Sequence, residues 1–198
     1  MIKEDNRTVS IFCASSPNVP ARYMEEAFCL GRKLADNGYH VITGGGSMGL
    51  MASVEDGVLD RNGRITAIIP QFMIDAGWLH TGLKDVIVTG TMQERKQMMF
   101  DSSDAIITLP GGCGTLDELT EVLTFKQLGI MSCPVVIMNT NGYYDYFLKH
   151  LQRQVDEDFM RPEHLRLWSV ASDPSGVISQ LESLPQWDTS LGKLPQRE

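Results

Sequence analysis

The sequence predicts an α/β protein built on a parallel sheet, in one domain. Brief apolar runs alternate along the chain with longer stretches whose apolar residues recur at helical spacing, the rhythm of α/β units. Two of those runs lead straight into glycine-rich turns, Gly44-Gly45-Gly46-Ser47-Met48-Gly49 and Pro110-Gly111-Gly112-Cys113-Gly114-Thr115, each followed by a helical pattern. The 198 residues, 42% hydrophobic and 21% charged, suffice for one domain with a sizeable core. No internal repeat or interdomain linker divides them, so residues 1–184 are expected as the domain and residues 185–198 as a tail.

Residues 9–14 (VSIFCA) read as a first buried strand, closed by the turn-rich Ser15-Ser16-Pro17-Asn18. Over residues 21–37, Met24, Ala27, Phe28, Leu30, Gly31 and Leu34 keep helical spacing, and Asn37-Gly38 ends the helix. Ser15 and Ser16 therefore fall at the C-terminal end of a strand, where open parallel sheets place ligands. Ordinary loop polarity explains them equally well. Residues 40–43 give a second strand before the first glycine turn and a helix to about residue 59. Residues 64–69 form a third strand closed by Pro70, and residues 85–89 a fourth. Between them, residues 71–84 are irregular, carry Trp78 and His80, and suit a flap over a site. His80 has no partner at a telling spacing, so a structural or surface role is its default.

In the helix that opens at Met92, methionines and Phe100 suit one buried face. Arg95 and Lys96 sit near its first turn, where the helix dipole disfavours cations. Such a local conflict points to a use, and two solvated surface charges are the plain alternative. After the central stretch, Gly129 stops a helix at Leu128, and residues 134–138 form a further strand. Residues 143–155 are helical, with aromatic spacing most simply assigned to the core. Shorter helices follow at residues 162–168 and 174–184.

The stretch Asp104 to Glu121 (DAIITLPGGCGTLDELTE) carries the chemistry: strand, glycine turn, helix. Gly111, Gly112 and Gly114 let the backbone bring its N–H groups close to an anion, and the following helix adds partial positive charge. A phosphate suits such a place. Thr115-Leu116-Asp117-Glu118 is also S/T-x-x-E, a capping box that needs no ligand. Capping accounts for Thr115 and Glu118 but not for the glycines. Neither turn is a standard nucleotide fingerprint. One lacks the Lys-Ser/Thr of a P-loop, and residues 44–49 do not give G-x-G-x-x-G with its distant acidic residue.

The net charge of -8 argues against a broad nucleic-acid or anionic-membrane surface, so phosphate contacts must be local. The four cysteines form no C-x-x-C pair, MIKEDNRT is no apolar leader, and no apolar run reaches bilayer length. A reduced, cytoplasmic protein without membrane partner is expected. No ligand cluster for a metal is apparent.

Three segments, GGGSMGLM at residues 44–51, MQERK at 92–96 and LPGGCGTLDE at 109–118, together resemble the LOG family of cytokinin-activating phosphoribohydrolases, long labelled lysine decarboxylases. The family pattern PGGxGTxxE is met by Pro110, Gly111, Gly112, Gly114, Thr115 and Glu118, and its arginine-lysine pair by Arg95 and Lys96. The resemblance spans residues 8–183. It implies a Rossmann-like, doubly wound parallel sheet flanked by helices, a homodimer, and no cofactor. It also implies hydrolysis of the N-glycosidic bond of a nucleoside 5'-monophosphate to a free adenine-type base and ribose 5-phosphate. Arg95 and Glu118 match the catalytic pair. Candidate substrate contacts are Ser15, Gly44, Gly45, Gly46, Lys96, Gly111, Gly112, Cys113, Gly114, Thr115, Glu121 and Thr124. Similar proteins often carry a glutamate shortly before the histidine matching His80; here Gly77 holds that place, with Asp75 nearby.

Cleaving a ribosyl C–N bond makes the sugar cationic, so Glu118 is expected to face it and Arg95 to hold phosphate or ribose oxygens. Three rivals share these loops. Cys113 at a helix N-terminus is a possible nucleophile, though no histidine is set beside it. A carrier or sensor would bind nucleotide without turnover. A lysine decarboxylase would need pyridoxal phosphate on a lysine, and no such context is present.

Overall fold

The central apolar runs are buried from both sides, as inner strands of a parallel sheet covered by helices must be. The computed structural model describes residues 7–183 and 185–192. Residues 1–6 of the N-terminal stretch, Leu184 at the end of the last expected helix, and the expected tail from Lys193 onward lie outside them. Among the described residues seven strands form one parallel sheet: β1 (Thr8–Phe12), β2 (His40–Thr43), β3 (Arg64–Pro70), β4 (Val86–Thr89), β5 (Ala105–Thr108), β6 (Val135–Met138) and β7 (Ser169–Ala171). Their order is β4-β3-β2-β1-β5-β6-β7. The chain winds outward from β1 in one direction as far as β4, then returns to the other side of β1 with β5. The fold is thus Rossmann-like and doubly wound, and β1 and β5 flank its switch point.

The helices are α1 (Ala21–Asp36), α2 (Gly49–Asp60), α3 (Gln71–Asp75), α4 (Met92–Asp101), α5 (Cys113–Leu128), α6 (Asp145–Asp156) and α7 (Pro174–Ser183). Because side chains alternate along a strand, β1 sends Val9 and Ile11 into the core beneath α1, α2 and α7. Its Phe12 joins the opposite core, under α4 and α5, and meets the Phe100 ring edge-on at 5.8 Å. No described helix is long and apolar enough to cross a membrane.

Three local expectations are corrected, and one strand that the sequence reading did not name is added. Residues 71–84 are not wholly irregular, since α3 begins directly after Pro70. The strand β7 is three residues long, too short to show a period. Along α6 only Leu151 is buried, Phe147 and Leu148 pack partly buried against the same core, and Tyr146 is 84% exposed, so this helix gives the core one face and not all its aromatics. The buried aromatic is Tyr144, just ahead of it. Finally, the described part of the expected tail packs on the body. Trp187 is buried, its backbone N–H donates to the Ser132 carbonyl at 2.7 Å, and a 3-10 turn at Thr189–Gly192 lies against the end of α5.

The helix that follows the first glycine turn, α2, is fixed by a backbone-to-backbone approach to α1. A methyl group on Gly57 would lie 2.2 Å from the Phe28 carbonyl oxygen, and one on Gly31 equally close to the Val54 oxygen. Helix propensity alone favours alanine over glycine by about 1 kcal/mol. Contact at that distance forces the helices apart, and overpacking of this kind costs about 1–3 kcal/mol. Gly57→Ala is therefore expected to lower stability in urea unfolding, against the propensity trend. An unchanged or raised midpoint would show that the two helices have room to spare.

Candidate active site

At the switch point the loops after β1, β2 and β5 converge. The Ala14 N–H donates to the Pro110 carbonyl at 3.1 Å, and the Met51 N–H donates to the Ala14 carbonyl at 3.2 Å. Gly49 has φ +66°, and a side chain there would strike the Ser16 carbonyl oxygen at 2.6 Å, so only glycine permits this crossing. Between the loops lies a cavity of about 520 Å³, walled by Ser15, Gly44, Gly46, Arg95, Gly112, Gly114, Thr115 and Glu118 among others.

The start of α5 forms one wall. Its N-cap is Gly112, which has no side chain to cap with, and the first intrahelical bond runs from the Leu116 N–H to the Gly112 carbonyl. The N–H groups of Cys113, Gly114 and Thr115 therefore have no acceptor within the helix. This removes the capping-box alternative for Thr115 and Glu118, which lie inside the helix rather than at its cap. The box that does form belongs to α4. There Thr91 accepts from the Glu94 N–H at 3.1 Å while Glu94 accepts from the Thr91 N–H at 3.2 Å. A Cβ on Gly112 or Gly114 would meet nothing within 4 Å, and neither has positive φ. Neither packing nor backbone conformation asks for glycine at these two positions; the space they leave opens into the cavity. At Gly111 the reason is different, since a Cβ would lie 2.1 Å from the Thr115 hydroxyl.

Facing this wall is a buried ion pair. Arg95, only 5% exposed, donates from Nη2 to Glu118 Oε1 at 2.8 Å. Burial pushes the Glu118 carboxyl up to about 7, with the Arg95 guanidinium pulling the other way. The Arg95 Nε–H is buried without a partner, a donor available to a ligand oxygen. Gly44 lets the guanidinium lie flat on the first glycine turn, where a Cβ would come within 2.6 Å of Nη2. The reading of Arg95 as a solvated charge is thus overturned.

Other expected contacts fall outside the cavity. Lys96 is held by Asp117 at 2.8 Å and Glu121 at 2.7 Å on the neighbouring surface. Thr124 is exposed and its hydroxyl donates back to the Thr120 carbonyl. Glu121 and Thr124 miss the cavity because α5 climbs away from it, Thr124 standing about 9 Å further along the axis than Glu118 at 1.5 Å per residue. Gly45 lies beneath the turn with φ +72°, and the Cys113 side chain is exposed rather than part of the wall.

The sequence reading missed the apolar wall of Met48, Met51, Ile69, Met73, Trp78 and Met92. Trp78 alone carried a signal, as part of the suspected flap. That segment does cover the site but is pinned: the Ser47 N–H donates to the Trp78 carbonyl and the His80 N–H to the Gly45 carbonyl, both at 2.8 Å. His80 has a structural partner after all, its Nε2 lying 3.1 Å from Asp56. Neither Gly77 nor Asp75 brings a carboxylate to the cavity; Gly77 makes a turn at φ +75°, and exposed Asp75 accepts from Gln71. Two tyrosines also went unread as supports. Tyr143 donates to the Gly111 carbonyl at 2.8 Å and Tyr144 to the Leu109 carbonyl at 2.7 Å, tethering the loop.

Fold and site together define a Rossmann-like α/β protein with an anion cradle and a buried arginine–glutamate pair at its switch point. Comparison with known proteins agrees. The family model described as "Possible lysine decarboxylase" matches residues 51–181. A rice protein named probable cytokinin riboside 5'-monophosphate phosphoribohydrolase LOGL5 is 38% identical over 190 residues, covering 95% of this chain and 77% of its own. Arabidopsis thaliana LOG5, a cytokinin riboside 5'-monophosphate phosphoribohydrolase, is 35% identical over 183 residues, 92% of this chain and 80% of its own. The chain belongs to the LOG family. Among solved structures, the molybdenum cofactor binding protein of Rippkaea orientalis superposes with a TM-score of 0.70 at 21% identity, covering 91% of this chain and 98% of that one. The molybdenum cofactor carrier protein of Chlamydomonas reinhardtii gives 0.68 at 22%, covering 89% and 96%. At such identity these two share the fold.

Because nothing in the protein crowds Gly114, Gly114→Ala is expected to unfold at the wild-type urea concentration or slightly above it. Its methyl group nevertheless fills space in the cradle, and affinity for ribose 5-phosphate should fall about tenfold or more, roughly 1.4 kcal/mol. Calorimetric titration checks this; unchanged affinity would mean that the α5 N-terminus holds no phosphate.

Proposed function

We propose that this protein hydrolyses the N-glycosidic bond of adenosine 5'-monophosphate and its N6-modified relatives, yielding the free base and ribose 5-phosphate. The observation that carries this reading is the buried Arg95–Glu118 pair standing over an uncapped helix start in one cavity. The N–H groups of residues 113–115 suit the 5'-phosphate. The unpartnered Nε–H of Arg95 suits a further phosphate or ribose oxygen and fixes the reacting geometry. As the C1'–N bond breaks, its electron pair leaves on the base and positive charge grows on the sugar. The Glu118 carboxylate stabilises that charge and orients a water, whose oxygen bonds to C1' and whose proton goes to the departing base. The methionine-rich wall with Trp78 suits the base and an apolar N6 substituent. The names of the related proteins support the same substrate class.

Two rival readings are weaker. A Schiff-base decarboxylase needs a lysine amine in the cavity, and among the described residues no lysine lines it; Lys96 is turned to Asp117 and Glu121. A carrier without turnover, such as the two structural neighbours suggest, needs the cradle but gives the buried carboxylate no task. For a homodimer, exposed Ile87 and Val88 on the edge strand β4 offer a face to a second copy.

Glu118→Gln is expected to keep the fold and AMP binding while lowering adenine release by about 10²–10⁴-fold, the usual worth of a positioned acid–base group. Chromatographic assay of adenine from AMP checks it, and wild-type turnover in the variant would return Glu118 to a structural role. The proposed step uses the ionised carboxylate. For the free wild-type enzyme, kcat/KM should therefore rise as pH climbs from acid values to about 7. A rate that falls across that interval would mean that the protonated acid is the working form.

A further inference from the structure

A second acidic side chain lies under the site and has no part in the reaction just described. Glu55, on α2, is 0% exposed. Its Oε1 accepts from the Thr43 hydroxyl at 2.6 Å, and that hydroxyl in turn accepts from the Gly45 N–H at 3.2 Å. Its Oε2 is buried with no hydrogen-bond partner. The chain Glu55, Thr43, Gly45 ends at the glycine turn whose Gly44 supports the Arg95 guanidinium.

We propose that Glu55 is a positioning residue for the nucleotide site: through Thr43 it holds the turn of Gly44, Gly45 and Gly46 against Arg95, and it does so as the uncharged acid. Among the described residues the carboxyl has no cation paired with it. On its own helix the nearest charge is Asp56, itself engaged by His80 from the segment over the site. From the end of β1 it faces the buried Cys13 thiol, beyond which stand Glu118 and Arg95. On α1, Arg32 is paired with Asp60 at the far end of α2 and Asp36 with Arg61 just beyond it. Burial accordingly drives the Glu55 carboxyl up to about 8, against the opposing pull of the Thr43 hydroxyl and the Gly45 N–H. Below that pH the acid is neutral and the turn is held. Above it, a buried carboxylate with so few donors draws water or shifts, and the turn moves with it. The site therefore has an alkaline limit set by a residue that touches no substrate.

This inference rests on the nucleotide reading for its ligand, so the test has one arm without ligand. In the full-length protein, the Gly45 amide resonance is followed by NMR from pH 6 to 10. It is expected to titrate with a midpoint near 8 in wild type and to show no such step in Glu55→Gln, which keeps the shape without the charge. In the second arm AMP dissociation constants are measured calorimetrically at about pH 7 and 9. Wild type should weaken by about fivefold or more across this interval and Glu55→Gln by much less, while Thr43→Val should bind AMP about tenfold more weakly than wild type already at pH 7. Glu118 and the phosphate titrate alike in wild type and Glu55→Gln, so their difference belongs to Glu55. The same amide titration in both proteins, or wild-type affinity in Thr43→Val, overturns the proposal. If wild type binds no AMP at any pH, the nucleotide reading fails, and the amide titration alone decides for or against Glu55.

Discussion

The Arg95–Glu118 ion pair constrains everything around it, because two charges removed from water are stable only if the surrounding structure holds them together. The arginine comes from α4 and the glutamate from α5, helices that follow strands on opposite sides of β1. Their meeting at 2.8 Å requires the sheet order to reverse between them. It also requires Gly44 on the first turn to give the guanidinium room. An ion pair so placed is a poor source of stability compared with apolar packing of equal volume. Its value lies in a charge already oriented before substrate arrives.

The cradle beside it follows from the same economy of side chains. An N-cap glycine leaves the first amides of α5 without a covering side chain, and Gly114 leaves the approach open. The helix keeps its polarity available because nothing in the protein uses it. Lys96, in contrast, is spoken for by two carboxylates and adds little to the cavity beyond a weak general field.

How much was legible beforehand depended on whether a residue's reason was local. The glycine turns showed themselves because glycines in runs are costly unless the backbone or a ligand demands them. Arg95 showed itself because a cation in a first turn contradicts the helix dipole. The order of strands and helices was readable from period alone, apart from the five-residue α3 and the three-residue β7. What failed was decided by distant packing. T-x-x-E occurs at both Thr91 and Thr115, and only the tertiary position of each helix start tells which one caps. Thr124 sits in a matching stretch yet is carried out of reach by the rise of its helix. The apolar wall gathers methionines from three separate segments together with Trp78, and no spacing rule could have joined them. The aromatic pattern of α6 suggested core, but only one face of that helix reaches it and Tyr146 is left in solvent.

The two tyrosine tethers just ahead of α6 have a consequence for the thermodynamics of recognition. With its carbonyls at Leu109 and Gly111 anchored by Tyr144 and Tyr143, the loop is ordered without a guest. Association then forfeits little backbone freedom, and a small, highly charged molecule can be captured by a surface that presents few contacts. Rigidity borrowed from a segment distant in sequence thus substitutes for affinity that such a cradle would otherwise have to gain by closing around a ligand.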